Sequence, residues 1–280
     1  MEQQTLLPKK PLATTQSSGS GKRTRKYFIA ANWKSNGTTH FVKDIITNMI
    51  NSFEYDAGKL DLMLLPGLLH ISLAQAMVAP HVQVGAQNVS QHGQGAYTGE
   101  VAAEHLADYG IQWVLIGHSQ RRGVFQESQE VVAEKVKKSR ENGLGVILCL
   151  GENLEQREKE LTGQVLDDQL TSFHTALGGN WENVVLAYEP IWAMGTGRIA
   201  SADQTQEAHE HIRKWLSKTV SPALGEAMRI IYAGSVTETN CENLIKLSQV
   251  DGFLVGTSST KPAFRDIFET VQRQAGRDLA

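Results

Sequence analysis

VVLAYEPIWAMGTG, residues 184 to 197, opens on an unbroken apolar run, closes that run with Glu189 and Pro190, and passes through Gly195 and Gly197. An apolar stretch of this length without alternation is how a strand reads when both faces of a parallel sheet are covered. Beyond it, Ala208, Ile212, Trp215 and Leu216 form a stripe at three-to-four spacing over 203 to 219, behind a capping box of Ser201 and Gln204. Strand, glycine-bearing turn and amphipathic helix make one β/α unit, with a carboxylate on the strand's last position.

Seven further runs have the same character: YFIAANW at 27 to 33, DLMLLP at 61 to 66, VQVGAQN at 82 to 88, QWVLIG at 112 to 117, GVILCL at 145 to 150, RIIY at 229 to 232 and GFLVG at 252 to 256. The segments between them supply the crossovers that parallel strands require. Over 38 to 53, for example, Phe41, Val42, Ile45, Ile46, Met49 and Ile50 lie on one helical face. Eight alternations of strand and helix predict an α/β fold of the (β/α)8 barrel type, with a doubly wound open sheet as the alternative, because periodicity alone does not decide closure.

The 280 residues, 41% hydrophobic and 20% charged, have the balance of a globular chain and not of a disordered one. No apolar run reaches the roughly 18 residues of a membrane helix. Cys149 and Cys241 stand far apart in no CxxC pair, which argues against a disulfide framework or a zinc site and favours a reducing compartment. Residues 1–26 carry Lys9, Lys10, Lys22, Arg23, Arg25 and Lys26 against Glu2, a charge of +5 in a chain of net −3, so the remainder carries −8. With Pro8, Pro11 and many Ser, Thr and Gly, this stretch reads as a disordered basic tail ahead of one catalytic domain over 27–280. An organellar transit peptide is the competing reading, but no amphipathic helical pattern supports it, so the expected location is cytoplasmic. GSGKRT at 19 to 24 lacks the first Gly, the Ser/Thr and the preceding strand of a phosphate-binding loop, and a nucleic-acid partner is not expected.

Active sites of such barrels lie at the C-terminal ends of the strands. The residues just after each run there include Asn32, Lys34, His118, Gly151, Glu152, Glu189, Gly234, Ser235 and Gly256. A base, an imidazole, an ammonium and several glycine turns on one rim are worth more together than singly. Glycine lets backbone N–H groups approach an anion, so the last two turns suit a phosphate, and the Gly195–Gly197 stretch reads as a mobile loop that would close over a small phosphorylated substrate. His209 and His211, two apart on a helix, point their rings in divergent directions and share no metal. No cofactor is called for.

ANWKSNG at 31 to 37, GAYTGE at 95 to 100, IGHSQRR at 116 to 122, CLGE at 149 to 152, AYEPIWAMGTG at 187 to 197, IYAGSV at 231 to 236 and DGFLVG at 251 to 256 together resemble, in order and spacing, the signatures of the triosephosphate isomerase family across roughly residues 27 to 275. The resemblance implies a TIM barrel that interconverts dihydroxyacetone phosphate and glyceraldehyde 3-phosphate through an enediolate, a step of glycolysis and gluconeogenesis. It implies Glu189 as the base, neutral His118 as electrophile and proton shuttle, and Lys34 as the cation that stabilises developing charge. Asn32 would hold the Lys34 region and Ser119 would contact Glu189. Gly195, Ser235, Gly256 and the neighbouring Thr257 would bind the phosphate through backbone N–H groups, and Thr98 would reach into a second subunit of a homodimer. The chain departs from the family pattern in having Gln120 for Glu, Ala233 for Gly, Thr257 for the second Gly after the eighth strand, and Ala31 and Ser35 for the more usual Gly and Met. If Thr257 had to adopt positive φ, its branched side chain would be strained. These departures motivate the alternative of an attenuated relative that binds phosphorylated metabolites or a protein partner.

Overall fold

The computed structural model describes residues 23–194 and 199–279. Eight strands run parallel: β1 Tyr27–Asn32, β2 Leu60–Leu65, β3 Val82–Val84, β4 Trp113–Ile116, β5 Gly145–Leu150, β6 Val184–Tyr188, β7 Arg229–Tyr232 and β8 Gly252–Val255. Their order is β3-β2-β1-β8-β7-β6-β5-β4. The two outer strands meet through a parallel bridge of Ala86 with Val114: the Ala86 N–H donates to Trp113 at 2.9 Å and its carbonyl accepts from Leu115 at 2.9 Å. That bridge closes the sheet into a ring and removes the open doubly wound alternative.

Alternate residues of each strand enter two separate cores. Phe28, Ala30, Met63, Leu65, Leu115, Ile147, Val185, Ala187, Ile231 and Leu254 fill the interior of the barrel. Their neighbours Ile29, Leu62, Leu64, Val114, Val146, Leu186 and Ile230 face outward against the helices. Burial on both faces is why the strands read as continuous apolar runs. The ring closes tightly at Gly252 (φ +137), where a Cβ would stand 1.9 Å from the Phe28 carbonyl oxygen.

The stripe read over 38 to 53 becomes the helix Thr39–Asn48, capped by Thr38, and a 3-10 turn Ile50–Ser52. The helix Ala202–Thr219 starts on the expected capping box of Ser201 and Gln204. No described helix is long and apolar enough to cross a membrane.

The tail boundary needs correction. Residues 23–26, assigned with the tail on composition, are fastened to the barrel. Arg23 and Arg25 each place a guanidinium nitrogen 2.7 Å from Oδ1 of Asp251, which is fully buried, and Arg213 reaches its Oδ2 at 3.0 Å. Lys26 pairs at 2.5 Å with Asp61, which also holds Arg229 at 2.7 Å across the N-terminal end of the barrel. Charge that looked surplus locally is matched by carboxylates far along the chain. Residues 1–22 lie outside the described residues.

Candidate active site

Lys34 follows β1 in a left-handed backbone conformation, φ +54, which a residue with a Cβ adopts only when its surroundings enforce it. Two side chains do so. Asn32 Oδ1 accepts the Lys34 N–H at 3.0 Å, and Gln87, beyond β3, donates its amide to the Lys34 carbonyl at 2.8 Å and to the Leu65 carbonyl at 2.7 Å. The lysine side chain then passes over the turn after β8, where a Cβ on Gly256 would come within 3.1 Å of its Cε.

Glu189 follows β6, with its N–H on the Leu150 carbonyl at 2.8 Å. Gly151 allows this placement, since a Cβ there would lie 1.8 Å from the Glu189 carbonyl oxygen. The carboxylate is buried, and each oxygen has a partner on Ser119: Oε2 accepts the backbone N–H at 2.8 Å and Oε1 accepts the hydroxyl at 2.8 Å. Oε1 also lies 3.4 Å from His118 Nε2.

His118 caps the helix Ser119–Val124, and its Nδ1 accepts the Gln120 N–H at 3.2 Å. An accepting Nδ1 leaves the proton of a neutral ring on Nε2, which faces Glu189. Burial pushes the imidazole below its ordinary value, Glu189 opposes that shift and the Lys34 ammonium adds to it. The ring is therefore a neutral hydrogen-bond donor near neutral pH. Beneath the carboxylate, burial first and the Glu189 charge second hold the Cys149 thiol well above its usual range, so it stays protonated and is no nucleophile.

Asn32, Lys34 and His118 share a cavity of about 190 Å³ with Met194, Ser235, Gly256 and Thr257. A hole of that size admits a molecule of a few heavy atoms. Its walls offer an ammonium, an imidazole N–H and glycine turns, with the buried carboxylate of Glu189 behind His118, which suits an anionic substrate undergoing proton transfer. Gly195, expected in the same set, lies outside the described residues together with Thr196, Gly197 and Arg198. Among the described residues no group of three or more His, Cys, Asp or Glu could hold a metal ion. His209 and His211 part as their spacing implies, His209 toward the Gln249 carbonyl at 3.1 Å and His211 toward Asp167 at 2.7 Å.

The model of the triosephosphate isomerase family matches residues 27–271. The chain belongs to the triosephosphate isomerase family. It is 46% identical over 244 residues to a triosephosphate isomerase of Paracoccidioides lutzii, spanning 87% of this chain and 97% of that one. It is 44% identical over 246 residues to "Triosephosphate isomerase, cytosolic" of Oryza sativa subsp. japonica, spanning 88% and 97%. The Neurospora crassa triosephosphate isomerase is 43% identical over 244 residues. The chain is an isomerase, and its reaction is the interconversion of the triose phosphates.

Within a triosephosphate isomerase, the departures noted in the sequence are accommodated. Thr257 is absent from the positive-φ positions and begins the 3-10 turn Thr257–Thr260, so the strain conceived for it does not arise. Ala233 is buried at the cavity wall with its N–H on the Tyr188 carbonyl at 2.8 Å. Gln120 has an exposed side chain, and the group it contributes to the site is its backbone N–H. Thr98 sits on the exposed segment 94–100, away from this cavity. Glu152, expected on the rim, turns instead to Tyr188 Oη at 3.1 Å and Trp192 Nε1 at 2.9 Å, anchoring the start of the segment that leads to Gly195. Gln87 and Met194 escaped the sequence reading. Gln87 acts only on carbonyls of distant residues, and nothing in the sequence near it signals that.

Proposed function

We propose that Glu189, His118 and Lys34 carry the isomerisation. Glu189 removes a proton from C1 of dihydroxyacetone phosphate and returns it to C2 of the resulting enediolate, while His118 donates from Nε2 to the carbonyl oxygen and relays protons between the two oxygens. Lys34 stabilises the negative charge that develops, in a walled site where water screens it poorly. The observation that carries the assignment is the 3.4 Å approach of Glu189 Oε1 to His118 Nε2, beside a cavity that His118 shares with Lys34. In the resting arrangement Ser119 holds both carboxylate oxygens, so the base must release Ser119 to reach substrate. Backbone N–H groups of Gly195, Ser235, Gly256 and Thr257 hold the phosphate, with Asn32 supporting Lys34. Coupled-assay turnover of glyceraldehyde 3-phosphate by Glu189→Gln tests the base: kcat falls by about 10²–10⁴, and a loss below tenfold removes Glu189 from that role.

The active form is a homodimer in which the loop bearing Thr98 docks on a second subunit. Supporting this, Leu68 and Tyr109, both more than half exposed, line one groove of about 180 Å³ with Val101 and Ile111, next to that loop. Leu69 is 90% exposed nearby in sequence. Apolar side chains this exposed favour a protein partner. Leu69→Asp shifts the sedimentation coefficient to that of a monomer, whereas an unchanged value places the contact elsewhere. The working compartment is the cytoplasm.

A further inference from the structure

Two turns make the phosphate end of the cavity, residues 233–236 after β7 and the 3-10 turn Thr257–Thr260 after β8. Each is braced internally. Asn240 Nδ2 donates to the Ser235 carbonyl at 2.9 Å, and Ser259 Oγ donates to the Gly256 carbonyl at 2.6 Å. The strands beneath them are joined more sparsely than their neighbours: β7 and β8 share one register pair, Tyr232 with Phe253, and the Asp251 N–H on the Ile230 carbonyl at 2.9 Å, where β6 and β7 share four pairs. The relative position of two stiff turns is thus left to whatever crosses between their tips. One hydrogen bond does so among the described residues: Ser258 Oγ donates to the Val236 carbonyl at 2.9 Å.

We propose that Ser258 is a positioning residue for the substrate's phosphate, its hydroxyl setting the separation at which backbone groups of both turns engage one dianion. The inference rests on the phosphate-binding roles given above to Ser235, Gly256 and Thr257. Without the bridge, each turn keeps its internal geometry, but the pair can spread, and a phosphate must draw them back at the expense of affinity. Lys34, His118 and Glu189, which follow β1, β4 and β6, are untouched, so binding of the phosphate weakens while the chemical step does not.

Purified protein, Ser258→Ala and Ser258→Thr are compared in three assays: KM and kcat with glyceraldehyde 3-phosphate, competitive inhibition by inorganic phosphate, and kcat/KM with unphosphorylated D-glyceraldehyde. Ser258→Ala should raise KM and the phosphate inhibition constant together by about fivefold, the worth of one neutral hydrogen bond, with kcat within about twofold and the unphosphorylated substrate unaffected. Ser258→Thr, which restores a hydroxyl, should bring both constants back. Unchanged KM and inhibition constant in Ser258→Ala overturn the proposal, as does an equal loss on the unphosphorylated substrate, which marks general deformation. If inorganic phosphate does not compete even in the parent protein, the phosphate-binding reading itself falls, and with it this inference.

Discussion

A histidine with no exposed surface is an unusual thing for a chain to retain, and His209 has none. It packs edge-on to Tyr188 and lies 3.1 Å from the Gln249 carbonyl. Burial pushes its pKa down to about 4, against the upward pull of the Gln249 carbonyl and Asp251, with Arg213 adding to the depression. The sign of the linkage follows. Between the unfolded value of 6.5 and the folded value of about 4, the unfolded chain binds a proton that the native state refuses. Stability contributed by neutral His209 is therefore complete above about pH 6.5 and drains away as pH falls toward 4, by about 3 kcal/mol in all. Urea unfolding at pH 7 and pH 4.5 should show His209→Gln losing about 2–3 kcal/mol less than the parent over that interval. Equal losses would mean that carboxylates elsewhere govern the acid limb. Residues of this kind are silent in sequence: His209 reads as a helical histidine beside His211, and only tertiary burial separates the two.

At the scale of elements, the strands were legible because each is covered on both faces and so carries an unbroken apolar run. β3 is the exception. Its run extends to Asn88, yet its register with β2 ends at Leu64 and Val84, because the next residues serve other partners: Ala86 pairs with Val114 and Gln87 turns to hold Lys34. The three side chains proposed above for the chemistry, Glu189, His118 and Lys34, stood out for a related reason, each being a polar residue just beyond an apolar run. Helix ends were less so. The helix Leu154–Glu158 finishes in a Schellman motif, with Leu161 N–H on the Gln156 carbonyl at 2.9 Å and Glu160 N–H on the Arg157 carbonyl at 3.0 Å. Its left-handed position is Glu160, φ +57, where glycine is usual. Glu160→Gly removes the Cβ penalty from an exposed residue with no described ion pair, and should raise unfolding stability by about 1 kcal/mol, read as a higher urea midpoint with unchanged kcat. A lower midpoint would mean that the Glu160 side chain contributes more than its backbone strain removes.

Across the whole molecule, Asp251 gathers parts that are remote in sequence. It accepts from Arg23, Arg25 and Arg213 and from the Ile230 N–H at 2.8 Å, while Arg23 also reaches Asp278 near the chain's other end at 3.5 Å. The cluster lies at the N-terminal end of the barrel, opposite the catalytic rim. Asp251→Asn leaves buried guanidinium charge uncompensated and should reduce stability by about 3–5 kcal/mol, measured by denaturant titration, with little change in kcat for the protein that remains folded. A loss under 1 kcal/mol would show that the arginines are satisfied by carbonyls alone. Counting charges along the sequence could not find this cluster, because Arg23 and Arg25 lie more than 200 positions from the Asp251 they share with Arg213.

The ring is unequally sewn. Between β1 and β2 six register pairs hold, but between β3 and β4 the circle is completed by Ala86 alone. In amide exchange with solvent, opening starts where the fewest bonds must break together, so Ala86 and Leu115 should trade their protons ahead of the interior strands. One residue further on is Gln87, whose amide keeps Lys34 in its left-handed pose. A fluctuation that unzips this seam thus removes one of the two holds on the lysine and leaves only Asn32, and with the role proposed for Lys34, activity in rising denaturant should fall before the barrel melts.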